Sequence, residues 1–154
     1  MENTNNKPKE YALRLIKIRD RSTGEIRAKM RQKGFCDDEI ESVVSWLNER
    51  SFLDDKKFVA QYIKNQLAFK PQGKFSLRMR LKKLHVADDL VDEALSSLSA
   101  STERGLAREA ASKWMERKKI DPAEAFEKLG RYLTSRGFGW DITKSVLDEV
   151  LGSK

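Results

Sequence analysis

The chain contains one cysteine, Cys36, and one histidine, His85, among 154 residues. A lone thiol forms no internal disulfide and completes no C-x-x-C pair, so Cys36 reads as a small turn residue. A single histidine without a neighbouring thiol assembles neither a nucleophile with its base nor a metal cluster. The eight glycines are dispersed, which leaves no glycine-rich cradle for a nucleotide phosphate. Long apolar runs are missing as well, so no membrane span or membrane partner is expected. The polar start MENTNNKPKE lacks the apolar stretch of a secretory signal and reads as a mobile arm over residues 1–8 of a cytoplasmic protein. Strand-like alternation is absent, and the three prolines, Pro8, Pro71 and Pro122, fall at helix starts or loops. What remains is an all-α chain with no expected catalytic, cofactor or metal residue.

Charge is abundant. The 31 basic and 24 acidic residues give a net charge of +7, which favours nucleic acid or an acidic protein surface as partner. Residues 1–53, 54–100 and 101–154 each contribute a small basic excess, so there is no basic tail. The acids gather at helix starts, in Asp37-Asp38-Glu39, Asp54-Asp55 and Asp88-Asp89. There they read as caps, because a carboxylate accepts from unpaired backbone N–H groups and suits the positive end of the helix dipole.

The sequence repeats. A shift of 51 residues lays MRQKGFCDDEIESVVSWL, Met30 to Leu47, on LKKLHVADDLVDEALSSL, Leu81 to Leu98, and a further shift of 52 brings in Leu129, Leu133, Gly137, Phe138, Leu147 and Val150. The matched positions are apolar or punctuating ones. In the first repeat Tyr11, Leu15 and Ile18 mark one helix. Ser22 and Glu25 form a capping box that opens a second helix, which Gly34 ends. Asp37 is expected to cap a third helix buried through Ile40, Val43, Val44 and Leu47. In the second repeat the junction FLDD leads into a helix with Phe58, Val59, Tyr62, Ile63 and Leu67 at helical spacing. Leu77, Leu81 and Leu84 stripe the next helix, and Asp88 is expected to cap the last. In the third, a long helix is expected from Thr102, carrying Leu106, Ala110 and Trp114. Asp121-Pro122 opens another as N-cap and first helical residue, and Gly137 and Asp141 bracket the final turn. The expectation is nine helices in three tandem three-helix repeats, at 9–52, 53–100 and 101–154, stacked into an elongated, curved body.

The strongest functional signal is the acid-free run KPQGKFSLRMRLKKLH with Lys70, Lys74, Arg78, Arg80, Lys82 and Lys83. Lys74, Arg78 and Lys82 recur every four residues and form a ridge beside the leucine stripe. Arg27 and Arg31 map onto Arg78 and Lys82, with Lys29 and Lys33 nearby. These ten bases are the candidates for neutralising phosphates or meeting an acidic surface, against an ordinary solvated helix face. The third helices begin with Asp-Asp, which would repel DNA, so a helix-turn-helix reading the major groove is disfavoured and the middle helices are the expected contact surfaces. Trp46, Trp114 and Trp140 read as packing residues.

The motifs RDRSTGEIRAKMRQKGF, FLDDKKFVAQYI and RYLTSRGF, with Gly73, Leu77 and Leu81, resemble those of the RecX family, bacterial regulators of the RecA recombinase, over almost the whole chain. Leu84-His85 departs from that family's Lys-Gly helix ending. The resemblance implies a non-enzymatic monomer made of three-helix repeats and acting in DNA repair, homologous recombination and the SOS response. Such a protein lodges in the groove of a RecA filament on single-stranded DNA and lowers RecA's ATP hydrolysis, strand exchange and coprotease activity. Direct binding to single-stranded DNA is also implied, with duplex DNA left open, through the basic faces. The alternative is a DNA-binding helical module that needs no RecA.

Overall fold

The computed structural model describes residues 6–152, which form nine helices: α1 (Asn6–Ile18), α2 (Thr23–Lys33), α3 (Asp37–Glu49), α4 (Asp55–Phe69), α5 (Lys74–Lys83), α6 (Asp88–Ser96), α7 (Ala100–Arg117), α8 (Pro122–Ser135) and α9 (Trp140–Leu151). No strand occurs among the described residues. Residues 1–5 of the expected arm lie outside the described part, and α1 already includes residues 6–8.

Backbone packing gathers the chain into two compact units. The first holds the chain up to Gln61 together with Leu81–Val91, and the second holds Tyr62–Arg80 and everything from Asp92 onward, so residues of the second repeat are shared between them. In the first unit α1, α2 and α3 pack on one another around Ala12, Ile26, Met30, Ile40, Val44 and Leu47. In the second, Ala107, Ala110 and Ala111 on α7 let the backbone come close to α8 and α9, around Leu129, Leu133, Phe138, Val146 and Leu147.

The local signals act largely as their chemistry requires. Ser22 Oγ accepts from Glu25 N–H while Glu25 accepts from Ser22 N–H, closing the capping box. Asp121 accepts from Ala123 N–H, with Pro122 as the first helical residue. Several expectations need correction. Asp37 and Asp88 are first helical residues rather than caps; Cys36 holds the cap position of α3, its N–H donating to Glu39, and Ala87 O receives the first intrahelical bond of α6. Helix α7 begins at Ala100, before the expected start at Thr102, because Ser99 caps it and accepts from Thr102 N–H. Ile18, which marks the end of α1 as expected, is exposed there, and Ala12 is buried in that helix. In α4 only Val59 is fully buried, with Phe58, Tyr62, Ile63 and Leu67 half-buried; Leu84 in the middle stripe is half-buried too.

The turn after α5 explains how His85 replaces a glycine. Its φ is 60°, in the same left-handed region as Gly34 (104°) and Gly137 (90°) at the equivalent positions. The start of α2 is set directly against this turn. Ser22 Oγ donates to Leu84 O, and a Cβ on Gly24 would lie 2.1 Å from His85 O. The second unit repeats the arrangement one repeat later: Gly73 N–H donates to Arg136 O at 2.9 Å and Phe75 N–H to Gly137 O at 3.1 Å. There a Cβ on Gly73 would lie 2.3 Å from Gly137 O.

An acid from the following repeat seals each junction. Asp55 Oδ1 accepts from Thr23 N–H at 2.7 Å and from its hydroxyl at 3.0 Å, at the first residue of α2. Glu103, buried on α7, accepts from Lys74 N–H at 3.0 Å, at the first residue of α5. These N–H groups belong to the first turn of a helix and have no partner within it. The two aspartates after Phe52-Leu53 therefore divide the work: Asp54 accepts from Lys57 N–H in its own helix, Asp55 caps α2, and Leu53 is buried.

A methyl group at Gly24 cannot be accommodated without moving backbone, so Gly24→Ala should cost about 2–3 kcal/mol. His85→Gly relieves a left-handed residue and should gain about 1 kcal/mol. Urea unfolding of both variants followed by circular dichroism checks the pair, and a neutral Gly24→Ala would contradict the junction.

Candidate binding surface

The ten basic candidates separate into paired and unpaired groups. Arg27 on α2 grips Glu41 of α3 with both arms of its guanidinium, Nε at 2.9 Å and Nη2 at 3.2 Å. Arg78 pairs with Asp92. The two ion pairs are the same pair one repeat apart, since 27 + 51 = 78 and 41 + 51 = 92. The recurrence of Arg27 and Arg78 thus has a partner inside each repeat. Arg31 faces Asp37 at 3.6 Å, and Lys33 Nζ stands 5.8 Å from the centre of the Tyr11 ring.

Lys29, Lys70, Lys74, Arg80, Lys82 and Lys83 have no ion-pair partner among the described residues. Lys29 and Arg80 are equivalent under the 51-residue shift, and both are exposed. Four of the six lie on α5. The wider segment is one-sided in charge: residues 56–87 contain nine lysines and arginines and no aspartate or glutamate. Unpaired cations in such a stretch keep their full attraction for an anion.

Sequence reasoning missed the apolar part of this surface. On α5, Leu77 and Leu81 are fully buried, and the opposite face shows Phe75 at 64% and Met79 at 57% exposure, one turn apart. Phe69, the last residue of α4, is 85% exposed. Trp140 opens α9 at 58% exposure, which corrects its reading as a packing residue; Trp114 is buried as expected, and Trp46 is half-buried with Lys9 and Arg50 over its ring. Alternation of bases with large apolar residues in KFSLRMR was the visible signal, but a helical stripe of that kind is normally core.

No cluster of three or more histidine, cysteine, aspartate or glutamate residues suited to a metal ion occurs among the described residues. No helix there is long and apolar enough to cross a membrane.

Comparison with known proteins places this architecture. Residues 9–47 match the family model described as RecX, first three-helix domain, and residues 54–95 match RecX, second three-helix domain. The chain is 34% identical over 140 residues to the regulatory protein RecX of Prosthecochloris aestuarii, covering 91% of each chain. To the protein of the same name from Chlorobaculum tepidum it is 31% identical, over 94% of this chain and 89% of the relative. The crystal structure of RecX from Lactobacillus salivarius superposes with a TM-score of 0.87 at 19% identity, covering 97% of this chain and 98% of that one, which shows a shared fold.

The Arg27 guanidinium, bonded to Glu41, holds that carboxyl below its ordinary value of 4.5. A lowered folded-state value means that the pair's contribution is present above the ordinary value and is lost as pH falls through the lowered one. Carbon-detected NMR titration should find Glu41 titrating below its ordinary value, and Arg27→Ala should raise it toward that value. An unchanged Glu41 in that variant would remove the pair from the account.

Proposed function

The chain belongs to the RecX family, and from that premise we propose that it regulates RecA by binding RecA filaments on single-stranded DNA in the filament groove. In this reading it inhibits RecA's ATP hydrolysis, strand exchange and coprotease activity, acting as a cytoplasmic monomer without an active site. The observation that carries the proposal is the 34% identity over 91% of both chains to a regulatory protein RecX. The acid-free segment 56–87 supports it, because a partner carrying DNA phosphates or acidic protein surface would be steered to that segment.

A protein with no chemistry of its own slows another only by binding one of that partner's states more tightly than the others. Here the favoured state would be a filament arrangement poor at hydrolysis and exchange. Repeated helical units suit such a task, since each offers an equivalent surface to an equivalent partner unit. Of the basic candidates, Lys29, Lys70, Lys74, Arg80, Lys82 and Lys83 carry the proposed contact, whereas Arg27, Arg31 and Arg78 are held by Glu41, Asp37 and Asp92. The second reading, a DNA-binding module independent of RecA, draws on the same unpaired bases and would show binding to bare DNA that weakens steeply with salt.

The deciding measurement is ATP hydrolysis by preformed RecA filaments on single-stranded DNA as the protein is titrated from trace to equimolar amounts. Inhibition is expected at substoichiometric protein. Arg80→Glu/Lys82→Glu/Lys83→Glu, with unchanged helicity, should require at least about tenfold more protein for the same inhibition. Absence of any effect at equimolar protein overturns the filament reading.

A further inference from the structure

An exposed apolar patch with an unpaired basic border lies within the second unit. Phe75 and Met79 line the outer face of α5. The Phe75 ring lies over Gly139, where a Cβ would be 3.8 Å from Phe75 Cε2, and Trp140 follows directly at the start of α9. The backbone joins the two sides, since Phe75 N–H donates to Gly137 O. Ordinary packing does not account for these side chains: all three are more than half exposed, while Leu77, Trp114 and Phe138 in the same unit are buried.

The charged side chains of α5 itself carry one sign. Lys70, Lys74 and Arg80 have no ion-pair partner among the described residues, and Arg78 is balanced by Asp92. Asp141 follows Trp140 on the α9 side, and Glu103 of α7 accepts from Lys74 N–H at the start of α5. A chain of anions crossing the patch would therefore run along α5.

We propose that Phe75, Met79 and Trp140 form a stacking platform for unpaired bases of single-stranded nucleic acid, with Lys70, Lys74 and Arg80 holding its phosphates. Flat apolar side chains beside unpaired cations match the two surfaces of a single strand, its base faces and its backbone, and the match tolerates any sequence. An apolar centre with a polar rim also occurs in protein interfaces; the single sign of the free charges along α5 is what favours a polyanion. Duplex DNA offers phosphates but hides its base faces, so the platform discriminates single from double strands. The inference rests on and deepens the second reading, binding to bare DNA, by naming the side chains that take the bases; it needs no RecA, so it and the filament reading can fail separately.

The test uses the full chain without RecA, a fluorescein-labelled 20-nucleotide oligothymidine and a duplex of equal length, with anisotropy measured over a range of salt. The wild type should bind the single strand more tightly than the duplex. Phe75→Ala/Met79→Ala and Trp140→Ala should each weaken single-strand binding about tenfold with the salt slope unchanged. Trp140→Phe should keep binding but lose part of the fluorescence quenching that oligothymidine causes, a readout that a structural role would not give. Lys70→Gln/Lys74→Gln/Arg80→Gln should lower the log-log salt slope by about 2, at roughly 0.7 per phosphate contact. Undetectable single-strand binding by the wild type overturns the proposal, as does wild-type-like binding by the folded aromatic variants. If those variants bind the oligonucleotide normally but fail to inhibit RecA, the patch docks protein and the proposal is likewise overturned.

Discussion

The meeting of one middle helix's first turn with the left-handed turn that ends the next middle helix is the constraint on which the rest of the structure depends. In the first unit α2 begins on Leu84-His85, and in the second α5 begins on Arg136-Gly137. The positive end of one helix dipole thereby meets carbonyls at the negative end of another; in the second unit backbone N–H groups of Gly73 and Phe75 donate to those carbonyls, and in the first the Ser22 hydroxyl donates to Leu84 O. Side chains cannot intervene at such a distance, which accounts for Gly24 and Gly73. Once this contact is made, the first helix of the following repeat lies where its acid reaches the remaining free N–H. Asp55 and Glu103 then perform one task 48 residues apart, although their surrounding sequences differ.

Much of this fold was legible in the sequence, and the boundary of legibility follows the range of the forces involved. Ser22 with Glu25, Gly34 and Asp121-Pro122 act within four residues of themselves, so their spacing declares their role. The fully buried Ile26, Met30, Leu77, Leu81, Leu129 and Leu133 recur with the repeat because each faces an equivalent neighbour. Asp55 was readable only as a local cap, since its partner Thr23 lies 32 residues earlier. The left-handed conformation of His85 was hidden for a different reason: nothing about a histidine announces φ of 60°, and only the repeat alignment places it where Gly34 stands. The cap positions of α3 and α6 were misread because acids in the first turn favour the helix dipole without receiving the capping bond. Trp140 was misread because a large aromatic is usually interior, and exposure is a property of the assembled helices.

The candidate surface was only partly legible, and the misleading signal was recurrence itself. Bases that repeat at equivalent positions suggest a repeated external partner. Arg27 and Arg78 recur together with Glu41 and Asp92, so their partner is supplied by the third helix of the same repeat. Such exposed pairs contribute little stability and are screened by salt, but they remove two arginines from the charge available to a ligand. The informative comparison is between a base and the acid that could reach it.

That comparison gives the segment 56–87 its character. Acids elsewhere in the chain share helices or neighbouring helices with bases, as in Arg108–Glu149, Lys113–Glu109, Arg131–Glu127 and Lys144–Asp148. Over α5 the equivalent acids are missing from the helix, so among the described residues only Arg78 forms an ion pair, with Asp92 on α6. Helix formation did not demand this, because glutamate is as good a helix former as lysine and pairs with it at four-residue spacing. A helix with five like charges and no internal acid repels itself, and that cost is lowered when an anion binds. Folding alone therefore leaves α5 underused, whereas binding an anionic partner uses both its exposed charge and its exposed apolar strip.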